Sequence, residues 1–435
     1  MVRSFGDIRR DPLAFCARMW RTYGDVVQFP IPRPPSYLVS APESVRDVLV
    51  RHSRDYGKAT IQYSALSLVT GEGLLTADTA SWRIQRPLVQ PAFHHSAVER
   101  VADHVGGSIE RVRTEWSQPG TGPVDADEVM MRLSLEVVGA ALFGSDLSAD
   151  ADRLAAATLR ALDVVVARAR VPLAPPAWLP TPGNRRLRSA VRELDGAVRT
   201  MVAARQRAGR PGFDQPDMLD LLLAGSEGHG ALTGDQIRDQ VVTFIVAGHE
   251  TVASALSWSF ALLARHQRIA DDVADEARAV LAGRPPTFAD YARLPLARAV
   301  FEETMRLYPP AWLITRKAHA AATLDGRQIP AGALIITSPW IVHRHPDVWA
   351  DPERFDPTRF LGERVPREAY LPFGAGPRMC IGRDFSYLEA VLVIAGLSQH
   401  FHFAPVGPLP AAMPQVTIRP RGGVRLTVTP RTPCR

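Results

Sequence analysis

The segment Phe373-Gly374-Ala375-Gly376-Pro377-Arg378-Met379-Cys380-Ile381-Gly382 constrains this chain more than any other. It sets one cysteine in a glycine-rich turn, with an arginine two residues before it and an aromatic ring seven before. A long apolar stretch follows, from Phe385 to Ser398, and reads as a helix. A tight loop at a helix start turns successive backbone N–H groups toward the sulfur, which stabilises a thiolate. Gly374, Gly376 and Gly382 let the backbone bend closely around something flat. A lone cysteine is ordinarily a small buried hydrophobe. A cysteine held in this kind of turn suits a different role, the axial thiolate ligand of a haem iron.

Bulk composition narrows the class. Of 435 residues, 46% are apolar, enough for a large core, and no stretch reads as a linker between folding units. One domain over 1–435 is therefore expected, with a sheet-rich part at about 24–55 and 311–340. The three cysteines, Cys16, Cys380 and Cys434, are far apart and odd in number. That argues against a disulfide framework and for a reducing compartment. The net charge is +6, and among 51 basic residues only Lys58 and Lys317 are lysines. The arginines are spread along the chain, which speaks against nucleic-acid binding. Met1 to Arg10 is short and charged, and no run of eighteen apolar residues occurs. A cytoplasmic protein without a transmembrane anchor is the expectation.

Three further motifs stand in order along the chain. Ala247-Gly248-His249-Glu250-Thr251 sits inside Thr233–His266, the longest proline-free helical stretch. Thr233 and Gln236 form a capping box there, and about 34 residues at 1.5 Å each span roughly 50 Å. Gly248 weakens an isolated helix, which makes sense where something must approach the backbone closely. Glu303 and Arg306 form an E-x-x-R pair, three apart on a helix. Asp351-Pro352-Glu353-Arg354-Phe355 follows downstream.

Together with the cysteine loop, these motifs resemble those of the cytochrome P-450 family of haem-thiolate monooxygenases. The pattern F-G-x-G-x-R-x-C-x-G is complete, and the resemblance covers nearly the whole chain. Its phrasing is closer to the fatty-acid-hydroxylase-like branch than to the camphor-hydroxylase-like one. The resemblance implies a mostly α fold with small β-sheets, a triangular prism crossed by a long central helix. It implies haem b (iron protoporphyrin IX), with Cys380 as the metal ligand.

Residue by residue, the resemblance assigns Trp82 and Arg86, four apart on a helix, to a haem propionate. Arg316 and Arg378 are the other propionate donors. Phe373 covers the proximal side, Gly382 allows close approach of the following helix, and Ala247 and Gly248 face the cofactor. Glu250 and Thr251 resemble the acid–alcohol pair, with Thr251 holding a water and bonding to dioxygen while Glu250 relays protons. His249 is directed off the haem. Glu303 and Arg306, with Arg354 as third member, form a structural ion network. His343 and His345 read as core or surface histidines.

Tyr56 to Thr79 reads as a loop over the substrate. Residues 127–169 read as strongly helical, and Pro172 to Pro180 as a break over the substrate entrance, whose Trp178 either touches a membrane surface or packs down, packing being the expectation where no anchor is present. Expected pocket residues are Leu68, Val69, Val246, Ala247, Gly248 and 311–314, with the turn near Pro420. They are mostly apolar. A bulky hydrophobic small molecule, a terpenoid or polyketide of secondary metabolism, is the expected substrate alongside O2. Fatty-acid hydroxylation is the alternative. The chain has no flavin or nicotinamide fingerprint, so electrons are expected from a separate ferredoxin and ferredoxin reductase, to a monomer.

Overall fold

The computed structural model describes residues 6–8, 10–29, 34–118, 120, 122–147, 151–169, 175–208, 216–225, 232–362, 365 and 368–431. Helices dominate, with small sheets built from strands within 26–57, 124–125, 314–337 and 401–430. The helix Gly234–Leu263 runs 30 residues through the main core, buried almost continuously from Gln240 onward. Its start is the expected reciprocal cap: Gln236 N donates to Thr233 Oγ1 (3.2 Å) and Thr233 N to Gln236 Oε1 (2.9 Å). It ends at Leu263, three residues before the expected His266, where Arg265 N and His266 N turn back to Leu262 O. Among the described residues this is the one helix long and apolar enough to cross a membrane, and 83% of its apolar window is buried inside the protein.

The stretch 127–169 is two helices, Ala126–Phe143 and Ala151–Ala169. The first stops at Gly144, whose φ of 51° is the left-handed cap that glycine adopts without strain. Its Val138 explains Gly248 differently from the expectation. A Cβ on Gly248 would lie 2.9 Å from Val138 Cγ2, so the close approach that glycine permits is helix against helix.

Val26–Gln28 and Ser36–Val39 pair antiparallel, as expected; their connection at 30–33 lies outside the described residues. They join a five-stranded sheet with Leu334–Thr337, Ile314–Ala318 and Tyr56–Gly57, in that order. Ser36–Val39 runs parallel to Leu334–Thr337, which in turn is antiparallel to Ile314–Ala318. This sheet sets Lys58 near Arg316.

Two expectations fail here. Tyr56 to Thr79 is not a plain loop, because Ile61–Thr70 is a helix with Ala65, Leu66, Val69 and Thr70 buried. That spacing of one, three and four is helical, but Tyr63 and Leu68 on the other faces blur it. Trp178 does not pack down: it is 74% exposed. Asn184 Nδ2 holds the backbone below it, donating to Pro176 O (2.8 Å) and Leu179 O (2.9 Å), and the indole is left outside. Residues 172–174 of that break lie outside the described residues, as does Cys434.

Candidate active site at the Cys380 loop

The cysteine loop is closed by its own backbone. Cys380 N donates to Phe373 O (3.0 Å), Met379 N to Gly376 O (3.0 Å), and Gly374 N to Leu371 O (3.0 Å). Gly374 and Gly376 both have φ of 69°, which favours glycine. At Gly376 the demand is double, because a Cβ would lie 1.9 Å from Leu49 O. Gly382 differs from the expectation. Its φ is −86°, and a Cβ there would make only ordinary contact with Phe93, at 3.6 Å. Its contribution is the backbone N–H, which bonds to the Cys380 sulfur.

Cys380 is accessible, yet burial is the leading cause that pushes its thiol up; the Gly382 N–H and the charges of Arg86 and Arg383 pull it down. Phe373 lies beside this loop, its ring 5.3 Å from that of Tyr387 on the following helix Arg383–Ser398. Arg86 Nη1 donates to Met379 O (3.1 Å), directly against the residue before the cysteine.

Cations gather next to it. The Arg378 guanidinium lies 4.4 Å from the centre of the Trp82 ring, and donates to Ala77 O (3.1 Å) and Asp78 O (3.0 Å). Burial first, and then the charge of Arg316, pulls Arg378 down to about 10. Arg316 is buried and donates to Thr315 O (2.8 Å). Lys58 completes the group and was missed in the sequence reading. Its Nζ donates to Leu75 O (2.7 Å) and sits 4.5 Å from the centre of the Tyr63 ring. Burial, then Arg316 and Arg378, hold it well below the ordinary lysine range. The signal available was that Lys58 is one of only two lysines among 51 basic residues.

Crowding like charges in a desolvated place is costly unless an anion joins them. The donor set fits a flat dianionic cofactor: an accessible thiol, and Lys58, Trp82, Arg316 and Arg378 together where carboxylates would lie. A charge-assisted hydrogen bond contributes about 1.5–3 kcal/mol, so Lys58→Met is expected to weaken haem retention by about tenfold or more. Transfer of haem from the variant to apomyoglobin, timed against the parent, measures this.

The central helix carries the remaining expected site residues. In its buried middle, only Ala247, Gly248 and Thr251 are partly accessible, and a spacing of one and four puts them on one face. Thr251 Oγ1 donates to Ala247 O (2.7 Å). His249 points elsewhere: it is fully buried, its Nδ1 bonds to Ile245 O (2.5 Å), and burial pushes it down to about 4. Its ring is therefore neutral. Val69 and Val246, expected in the pocket, belong to the buried core, whereas Leu68, Ala311 and Leu313 are partly accessible. Trp312 is anchored by its Nε1 to Gln415 O (2.9 Å).

Glu250 has a partner that the sequence did not disclose. Thr417 Oγ1 donates to Glu250 Oε1 (2.6 Å) from the turn before the strand Ile418–Pro420. Beside it Arg419 pairs with Asp127, whose other oxygen accepts from Ser257 Oγ (3.0 Å). Burial is the largest cause that pushes Glu250 up to about 7, against the pull of Thr417 and Arg419. The folded value exceeds the ordinary 4.5, so the native state holds a proton there that the unfolded chain gives up. Stability then falls as pH rises from about 4.5 to about 7. Glu250→Gln is expected to stabilise the protein at pH ~8 by about 1–3 kcal/mol, with the gain gone near pH ~4.5. Denaturant titrations of parent and variant at the two pH values check it.

The E-x-x-R pair is fully buried and bidentate: Arg306 Nε to Glu303 Oε2 (2.7 Å), and Nη2 to Glu303 Oε1 (2.8 Å). The third member is not the side chain of Arg354, which is 68% exposed and offers only its carbonyl, to Arg306 Nη2 (3.0 Å). Arg359 lies against Glu303 instead, at 3.5 Å and 15% exposed. The chain carries the pattern Asp-Pro-x-Arg-Phe twice in succession, at 351–355 and 356–360, and the second copy is the one that reaches inside. His343 is committed to this network: Leu371 N donates to its Nε2 (2.7 Å) and its Nδ1 faces Arg306 O (3.2 Å).

The profile of the family described as Cytochrome P450 matches residues 4–427. The chain belongs to the cytochrome P450 family. It is 36% identical over 430 residues to cyclooctatin synthase of Streptomyces melanosporofaciens, covering 97% of this chain and 90% of that protein. It is 34% identical over 436 residues to pentalenene oxygenase of Streptomyces avermitilis, covering 98% and 94%. The crystal structure of CYP175A1 from Thermus thermophillus superposes with a TM-score of 0.80 at 33% identity, covering 98% of this chain and 97% of that one. The expected fold and haem b cofactor are thereby those of the family, and the chain is a cytochrome P450 monooxygenase.

Proposed function

We propose that this P450 oxidises a bulky, mostly hydrocarbon terpenoid scaffold in secondary metabolism, acting as a cytoplasmic monomer with electrons from a separate ferredoxin and its reductase. One observation carries the substrate class. The accessible face of the central helix offers Ala247, Gly248 and Thr251, small and uncharged, and this reading turns that face toward the accessible Cys380. An apolar scaffold gains roughly 25 cal/mol per Å² removed from water, whereas a carboxylate stripped of water needs a partner. The nearby cations Lys58, Arg316 and Arg378 are accounted for by the cofactor's own carboxylates. The likeness to cyclooctatin synthase and pentalenene oxygenase supports the same reading.

Bound haem supplies the oxygen-activating and oxygen-inserting chemistry, and the chain's residues set its conditions. Cys380 would hold the iron as a thiolate, since a metal-bound thiol is deprotonated outright. Lys58, Trp82, Arg316 and Arg378 orient the propionates, and Arg86 braces the loop through Met379 O. Glu250, pushed up to about 7, gives and regains a proton at Oε2 while its Oε1 accepts from Thr417 Oγ1. Thr251 guides a water on the accessible face, its hydroxyl, which donates to Ala247 O, re-aiming toward that water.

Spectral titration of the haem-loaded protein against a panel tests the substrate class. Cyclic sesquiterpenes and diterpenes are expected to bind more tightly than linear fatty acids of equal carbon number, and to be oxidised with ferredoxin and reductase supplied. A preference for the fatty acids, with their hydroxylation shown by product mass, replaces this reading with the fatty-acid hydroxylase.

A further inference from the structure

A second cavity, of about 460 Å³, lies away from the cysteine loop, where the end of the central helix meets the strands Phe401–Pro405 and Arg425–Pro430. That volume is within the usual range for small-molecule sites, roughly 300–1,000 Å³. Its lining holds three arginines, Arg265, Arg421 and Arg425, and no acidic residue. Val406, Leu409 and Val424 give it an apolar wall.

The arginines are short of partners. Arg265 Nη2 donates to Gly407 O (2.7 Å), but its Nε is buried with none. Arg421 and Arg425 are exposed, and neither forms an ion pair among the described residues. Asp125, the acid behind the wall, is already used: its Oδ1 accepts from Val424 N (2.9 Å) and from Asp127 N (3.0 Å). The wall is also fixed in place. Gly422 and Gly423 both have φ of 81°, and a Cβ on Gly423 would lie 1.9 Å from Asp125 Oδ2. The cavity is thus preformed, with three cations and an apolar wall in one concavity. Guanidinium groups present planar forks that match carboxylate and phosphate oxygens.

We propose that this cavity is a second ligand site that binds an amphiphilic anion, its phosphate or carboxylate head held by Arg265, Arg421 and Arg425 and its apolar body laid against Val406, Leu409 and Val424. The site is independent of the substrate reading. It stands one strand from the active site, since the wall at 421–424 continues directly from Ile418–Pro420 and Thr417, the partner of Glu250.

The test uses haem-loaded protein with imidazole on the iron, so that any binding at the substrate pocket shows as a change in the haem spectrum. Calorimetric titrations compare 2-naphthyl phosphate, 2-naphthoate, neutral 2-naphthol and inorganic phosphate at constant ionic strength. One molecule of 2-naphthyl phosphate or 2-naphthoate is expected to bind per chain without a haem spectral change. The stronger of the two identifies the head group. The 2-naphthol and the inorganic phosphate are expected to bind about tenfold or more weakly, and Arg421→Ser with Arg425→Ser to weaken the anion by about tenfold or more. The double variant, altered only at exposed positions, is verified by an unchanged reduced carbonyl spectrum. Equal binding of 2-naphthol, inorganic phosphate matching the amphiphiles, undiminished binding by the double variant, or no binding of either amphiphile would each overturn the proposal.

Discussion

Replacing Cys380 with alanine is expected to abolish the thiolate-type spectrum of the reduced carbonyl complex and to bring product formation below detection. The reason is local and chemical. Among the described residues the free thiols are Cys16 and Cys380. Cys16 is buried among Phe15, Val27 and Leu38, and burial pushes its thiol up to about 12. It is neither accessible nor ionisable at neutral pH, so it cannot take over as a ligand. Cys380 is accessible, receives the Gly382 N–H and has Arg86 beside it. Cys16→Ala therefore serves as the matched control, with its carbonyl spectrum unchanged. A thiolate-type spectrum surviving in Cys380→Ala would remove the ligand assignment.

The sequence carried the site's chemistry further than its geometry. The cysteine loop was legible because each residue there answers a backbone demand: Gly374 and Gly376 need positive φ, and Cys380 N closes the turn on Phe373 O. The central helix was legible for the same reason, since a capping box and an unbroken apolar run are local signals. Lys58 was not. Its role comes from a sheet that pairs Tyr56–Gly57 with Lys317–Ala318, and so sets it near Arg316, some 260 positions away in sequence. Thr417 was hidden likewise, because nothing around it in sequence announces that it reaches Glu250. For Gly248 and Gly382, which the motifs assign to the cofactor, the structure adds what the sequence did not disclose: Gly248 also lets Val138 approach, and Gly382 turns its N–H to the Cys380 sulfur.

The buried ion network yields the other large effect, and it separates two arginines that the sequence confused. Arg306 spends all five of its N–H groups: on both oxygens of Glu303, and on the carbonyls of His343 (3.0 Å), Pro352 (2.6 Å) and Arg354 (3.0 Å). Glu303 in turn accepts from Asp356 N (2.9 Å). One guanidinium thus fixes the helix Pro295–Leu307 to the segment that leads toward the cysteine loop. Both side chains have no accessible surface, so removing Glu303 leaves Arg306 without a carboxylate in the core, and removing Arg306 leaves Glu303 only the 3.5 Å approach of Arg359. Breaking such a pair costs about 3–5 kcal/mol, a large part of the roughly 5–15 kcal/mol that holds a typical domain folded. Arg306→Ala is expected to lose most of its haem on purification and to unfold at a markedly lower denaturant concentration. Arg354→Ala is expected within about 0.5 kcal/mol of the parent, because its side chain is exposed and its carbonyl survives the substitution. Arg359→Ala falls between them, since its 3.5 Å approach to Glu303 supports a carboxylate that Arg306 already neutralises. Urea titrations followed by the haem absorbance of the three variants give the order. If Arg354→Ala proved as damaging as Arg306→Ala, the side chain of Arg354 would be the third member after all, and Arg359 a bystander.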